Sequence, residues 1–274
     1  MQSKPQDPLA YLRRLGELAK TPCDIAMGAL MLAALDHPER SLVPYVDHLA
    51  DIAAAARHEL TLLRQVEDAA KAVARLLNED FGYEGERAFY DAPHNADLMS
   101  VIERRRGLPV SLGILYLHAA RAGGLGAEGL NAPGHFLLRI TLRGRSLALD
   151  PFNGGSVIER MSGPAGLAGT PLADSPAGQP VDDAEVLLRL LNNLKMVALK
   201  SGDRTRALMV SERMGLIAPR RPDVWFDIAR LHEAKGSLGA AKKAYDTVLR
   251  HAQPGAVLHN EAALALEVLK RRLN

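Results

Sequence analysis

Between Arg104 and Gly155 the chain changes its hydrophobic period, and that change constrains the fold more than any other stretch. Pro109 prepares a helix over 110–122, and Gly123-Gly124 ends it. Three short apolar runs follow, 127–131, 135–142 and 147–149, separated by Ala132-Pro133-Gly134 and by Arg143-Gly144-Arg145. Runs of that length bounded by turn residues read as strands. Val157 and Ile158 extend the pattern toward a further strand. Sequential short strands pair antiparallel, so the expected class is α+β, with a small antiparallel sheet beside helices.

The flanks of this stretch are helical. Residues 8–80 keep apolar residues at helical spacing: Val66, Ala69, Ala70, Val73, Leu76 and Leu77 fall on one face. The segment after Thr21-Pro22, CDIAMGALMLAALD, has almost no polar face and reads as a buried helix. FGYEGERAFYDAP, 81–93, breaks the pattern as a loop with aromatic anchors, and Asn95 stands as a candidate N-cap for a helix over 97–106. The triplet Arg104-Arg105-Arg106 at the end of that helix reads as a solvated complement to the helix dipole.

Past Gly155, MSGPAGLAGTPLADSPAGQPVDD has the composition of a linker, placing a boundary at 163–182. The remainder repeats. Leu191 and Trp225, Leu194 and Ile228, Gly202 and Gly236, and Ala207 and Ala241 are each 34 positions apart, the tetratricopeptide period of paired helices. Pro219, Trp225, Ala241 and Tyr245 fit that pattern, whereas Lys195, Ala229 and His232 depart from it. Two such units with a capping helix over 256–273 are expected, and Lys195, Arg230 and His232 could line a concave peptide-binding face. The expected organisation is 1–162, linker 163–182, and repeat domain 183–274.

Composition narrows the function classes. Lys plus Arg number 34 against 32 Asp plus Glu, a net charge of +2, which supplies no field for nucleic acid or an anionic membrane. A single cysteine excludes an internal disulfide framework and a multi-cysteine zinc site, and points to a reducing, cytoplasmic setting. No cofactor motif and no metal-ligand spacing stand out, and no secretory segment is visible at the start. The most apolar run, 25–35, is too short to span a bilayer, which needs about 20 residues.

The candidate chemistry is carried by Ser111 at a helix start, His135 opening a strand and Asp150 closing the next, the order nucleophile, base and orienting acid. Each has a plainer reading. Ser111 can cap backbone N–H groups, His135 can be a structural histidine, and Asp150 before Pro151 can be a turn residue. Cys23, at the start of an apolar helix, reads as a small core residue.

The strings RRRGLPVSL, NAPGHFLLR and DPFNGG, with FGYEGERAFYDAPHNADL upstream, resemble the bacterial transglutaminase-like and tetratricopeptide-repeat proteins often labelled regulators of sirC expression. The resemblance runs from about Asp24 onward and implies a papain-like core, with His135 and Asp150 at the family's histidine and aspartate. Ser111 takes the place where catalytic transglutaminase-like enzymes have cysteine. A thiol forms an ion pair with a neighbouring histidine, whereas a hydroxyl must lose its proton during attack, so a site shaped for one does not serve the other automatically. The resemblance therefore implies a non-catalytic regulatory or scaffold protein that binds protein or peptide partners. The alternative is a Ser-His-Asp hydrolase or acyltransferase acting on a peptide or amide bond.

Overall fold

A helix that is apolar on most of its circumference must be covered on most sides, and PVSLGILYLHAARA, buried from Pro109 to Leu117, meets that demand at the centre of the first of two units. The computed structural model describes residues 7–18, 23–132, 135–158 and 178–273. One unit comprises 1–11 and 20–190, the other 12–19 and 191–274. The fold is α+β, as the change of period implies.

In chain order the helices of the first unit are α1 (Pro8–Glu17), which crosses into the second unit, α2 (Ile25–Ala34), α3 (Val43–Leu60), α4 (Val66–Arg75), α5 (Leu98–Arg104) and α6 (Pro109–Ala122). The strands are β1 (Glu84–Gly85), β2 (Arg106–Gly107), β3 (Gly126–Leu130), β4 (Leu137–Leu142), β5 (Arg145–Asp150), β6 (Ser156–Ile158) and β7 (Pro180–Val181). The last five form an antiparallel sheet in the order β6-β5-β4-β3-β7. β1 and β2 pair in parallel apart from it.

Helix α6 lies against β3 and β4 and against α2, α3 and α4. Gly113 sets its closest approach to the sheet, because a Cβ there would overlap the Phe136 ring. The expected face of α4 is buried throughout: Val66, Ala69, Ala70, Val73, Leu76 and Leu77 are all shielded from solvent. Beyond Arg75 the helix widens into a π-turn over Leu76–Asp80, closed by Phe81 N–H donating to the Leu76 carbonyl at 3.0 Å. The β4–β5 hairpin turns through Arg143-Gly144, both at positive φ (51° and 80°), the two-residue geometry that matches strand twist.

Two local expectations change. Asp97, not Asn95, caps α5, accepting from Ser100 N–H at 2.7 Å, because Asn95 is fully buried and its amide is committed elsewhere. The helix also ends earlier, at Arg104, with Arg105 in the left-handed region (φ 57°).

The second unit continues from α7 (Asp183–Lys200), within which the division after Leu190 falls, through α8 (Arg204–Ile217), α9 (Pro222–Ala234), α10 (Leu238–His251) and α11 (Val257–Leu273). Its backbone repeats at the spacing found in the side chains. Gly202 and Gly236 share φ near +75°. Asp203 N–H donates to Ala198 O, as Ser237 N–H does to His232 O, and Ala218 donates to Met214 O as Ala252 does to Val248 O. Each pair of bonds is offset by 34 residues, so two helix turns and two helix ends are built alike. Ala207 and Ala241, both fully buried, occupy corresponding small-residue positions. Most of the expected linker, 163–182, lies outside the described residues; its end forms β7.

Candidate functional site

The end of β5 and the start of β4 bring two of the three expected residues together. His135 Nε2 and Asp150 Oδ2 are 2.8 Å apart. Asp150 is 6% exposed and His135 32%, so the acid is sealed beneath a histidine that reaches the surface. Asp150 Oδ2 also accepts from Asn153 Nδ2 at 2.7 Å, and Oδ1 accepts from the Phe152 and Asn153 backbone N–H groups at 3.0 and 3.3 Å. Burial pushes its carboxyl up, but the hydrogen bonds from His135 and Asn153 outweigh it and hold the group below the usual carboxylate range. An ionised carboxylate only accepts, so His135 presents Nε2–H to it and leaves Nδ1 as the free ring nitrogen.

Ser111 makes its hydrogen bonds elsewhere than to this pair. It is fully buried in the first turn of α6, and its Oγ donates to Asn95 O at 2.8 Å and Leu108 O at 3.1 Å. The hydroxyl therefore binds carbonyls rather than capping N–H groups, and Ser111 and His135 share no hydrogen bond. Gly107 closes the same corner, where a Cβ would come within 2.5 Å of the Ser111 Oγ.

Several residues around the pair had no role from sequence. Asn153 links Asp150 to Arg87, whose Nη2 donates to Asn153 Oδ1 at 2.6 Å. The Arg87 guanidinium lies 5.0 Å over the Phe152 ring. Phe152 meets His135 edge-on at 6.2 Å and Tyr90 at 6.0 Å. The 81–93 loop is thus anchored as its aromatics suggest, although Phe89 points outward and is 70% exposed. Asn153 lies inside the DPFNGG string, and its spacing of three from an acid was the available signal.

Arg104 and Arg106 of the arginine triplet are exposed, as expected, and Arg105 is half-buried, but all three are also tied to the fold. Arg104 donates to Glu86 Oε2 at 3.0 Å and to Asn95 Oδ1 at 2.8 Å. Asn95 in turn donates to the Phe89 and Tyr90 carbonyls, so one buried amide fastens the aromatic loop beneath Ser111. Arg106 pairs with Glu84 at 2.9 Å. Arg105 turns inward and donates to both His48 Nε2 and Tyr83 Oη at 2.6 Å.

That last contact makes a pH prediction. An arginine can only donate, so His48 must be neutral at Nε2, and protonating it would set two cationic N–H groups face to face. Burial first, then the Arg105 charge, lowers His48 to about 4 from 6.5. A depressed histidine stabilises the fold above its unfolded pKa, and that contribution is lost as pH falls from 6.5 through 4. Urea unfolding should show a loss of about 2 kcal/mol over that window, less than the full shift implies because the ring is partly solvated. In His48→Gln the slope should disappear; an unchanged slope would assign it to another group.

Cys23 is no competing nucleophile. Burial, then the charge and hydrogen bonding of Asp183, push its thiol up to about 12. Among the described residues no three His, Cys, Asp or Glu side chains gather as a metal site, and no helix is long and apolar enough to cross a membrane. In the second unit Lys195 is buried and paired with Asp227 at 2.6 Å, while His232 faces Glu212 at 3.4 Å. His232, Trp225 and Ile228 help line a groove of about 650 Å³.

Residues 44–192 match the family described as the transglutaminase-like superfamily. A UPF0162 protein of Xylella fastidiosa is 33% identical over 163 residues, which cover 57% of this chain and 58% of that protein. A UPF0162 protein of Vibrio cholerae is 32% identical over 206 residues, 73% of this chain and 75% of its own. Protein SirB1 of Salmonella typhimurium is 27% identical over 205 residues, with the same coverage.

Proposed function

The chain belongs to the transglutaminase-like superfamily, and from that premise we propose that it is a non-catalytic regulatory or scaffold protein, binding peptide or protein partners through its transglutaminase-like domain and through tetratricopeptide-like helix pairs. The observation that carries the reading is the commitment of Ser111. A nucleophilic hydroxyl must offer its proton to the base, whereas this one gives it to the Asn95 and Leu108 carbonyls and has no solvent exposure. His135 and Asp150 are hydrogen-bonded to each other with no nucleophile bonded to the pair among the described residues, and the aromatic rings beside them suit contact with a partner. The 34-residue recurrence of backbone bonds supports the helix-pair reading of the second unit.

Fluorophosphonate labelling with site mapping tests this. Wild type should show no adduct at Ser111, and Ser111→Cys should show no thiol more reactive than an unactivated one. Ser111→Ala should lower stability by about 1 kcal/mol, as the loss of one buried hydrogen bond predicts. Rapid stoichiometric acylation of Ser111 would reverse the reading in favour of a Ser-His-Asp hydrolase or acyltransferase.

A further inference from the structure

Arg87 is the feature that neither the catalytic nor the structural account uses. Arg104, Arg106 and Arg121 of the same unit meet carboxylates. Arg87 meets none among the described residues: its polar partner there is the neutral Asn153 amide. Its guanidinium is nonetheless held in place. Phe152 supports one face at 5.0 Å, and Asn153 is itself fixed by Asp150 at 2.7 Å. Most of its N–H donors stay unused, in a fork that suits a carboxylate.

The surroundings fit a ligand with an acid and an apolar side chain. Arg87 lines a cavity of about 510 Å³ with Gly85, Ala88, Phe152 and Asn153. The two acids of the same cavity are already satisfied: Glu84 pairs with Arg106, and Glu86 accepts from Ala88 N–H, Phe89 N–H and Arg104. Among the charged side chains lining this cavity, Arg87 is the one left without an ion-pair partner among the described residues. Beside it Phe89 and Tyr90 are 70% and 42% exposed, and Tyr90 and His135 both meet Phe152 edge-on. Tyr90 and Phe152 packed beside a preorganised arginine, with exposed Phe89 adjacent to Tyr90 in the chain, are residue types enriched at interface centres. We propose that this face docks an acidic peptide segment of a protein partner, with a carboxylate on Arg87 and an adjacent apolar side chain on the Phe89–Tyr90–Phe152 aromatics.

The proposal rests on the peptide-binding reading above and gives that site its partner chemistry. The full chain, labelled with ¹⁵N, is titrated with a capped hexapeptide of alternating aspartate and leucine and with its asparagine counterpart. The aspartate peptide should shift the Ala88–Tyr90, Phe152 and Asn153 amides and the Arg87 Nε–H, and bind at least about tenfold more tightly, as loss of a charge-assisted pair implies. Its affinity should fall as salt rises. Arg87→Gln should abolish the preference with an unchanged urea midpoint, and Arg87→Lys should restore part of it, since lysine keeps the charge but not the fork. Should Arg87→Gln unfold, the salt dependence and the aspartate-to-asparagine ratio in wild type decide the matter. Equal binding of the two peptides, no binding of either, shifts confined to other residues, or tighter binding of a 12-base-pair DNA duplex at the same amides overturns it. Acylation of Ser111 would instead remove the non-catalytic reading and leave an Arg87-dependent preference standing.

Discussion

Asp150→Ala should lower the folding stability by about 3 to 5 kcal/mol, the range for removing one partner of a buried, hydrogen-bonded charge. Both oxygens are fully used, by His135, Asn153 Nδ2 and the backbone N–H groups of Phe152 and Asn153. Those backbone donors lie in the tight turn Pro151–Asn153, which swings the chain from β5 to β6, and no other acceptor there replaces the carboxylate. The loss should spread along the network: Asn153 frees Arg87, and Phe152 loses its seat against Gly85, where a Cβ would come within 2.6 Å of the Phe152 carbonyl. Asp150→Asn keeps the volume but turns an N–H toward donors, and should cost roughly 2 kcal/mol. In the wild type the folded-state pKa of Asp150 is held below the ordinary carboxylate range, so the stabilisation is present above the unfolded pKa of 3.8 and lost as pH falls below it. Urea melts at pH 7 and below 4 measure both effects. A loss under about 1 kcal/mol for Asp150→Ala at pH 7 would mean that the carboxylate does not organise the turn.

The architecture was legible where one physical signal dominated. The almost wholly apolar α2, the one-sided α4 and the glycine-marked strands all declare themselves through burial pattern, because an element's period records which of its faces is covered. The 34-residue recurrence was equally plain, since repeated packing demands repeated small and large residues. What stayed hidden were contacts closed by tertiary approach. Asn95 looked like a cap because asparagine is a common one, yet Asp97 two residues on takes that role and frees Asn95 for the Phe89 and Tyr90 carbonyls. In the arginine triplet the exposure of Arg104 and Arg106 was legible, but the inward turn of Arg105 was not. The left-handed backbone at Arg105 is what sends its side chain toward His48 while Arg104 reaches Glu86. At the candidate site, residue order implied a triad. Order says nothing of which way a serine hydroxyl points: the Leu108 carbonyl lies only three residues back, but the Asn95 carbonyl, 16 residues away, is brought near only by the fold.

Gly155→Ala should destabilise by about 3 kcal/mol, and the effect joins two independent causes. The residue sits at φ +75°, where an L side chain costs about 1 kcal/mol or more. Its position is also sealed: a Cβ would stand 2.6 Å from the Ala74 Cβ and 2.9 Å from the Tyr116 ring. Neither neighbour can yield, since Ala74 has no rotamer to change and the fully buried Tyr116 belongs to the central helix. Forcing a methyl into such a contact costs about 1 to 3 kcal/mol in packed cores. Gly154 provides the control. It has a similar φ of +65°, but a Cβ there would meet only the Asn78 side chain at an ordinary 3.5 Å. Gly154→Ala should therefore show the backbone contribution alone, about 1 kcal/mol, and the difference between the two urea midpoints isolates the packing of this loop against α4 and α6. Equal losses at both positions would mean that α4 and α6 separate to admit the methyl, so that the loop carrying Phe152 and Asn153 is held by Asp150 alone.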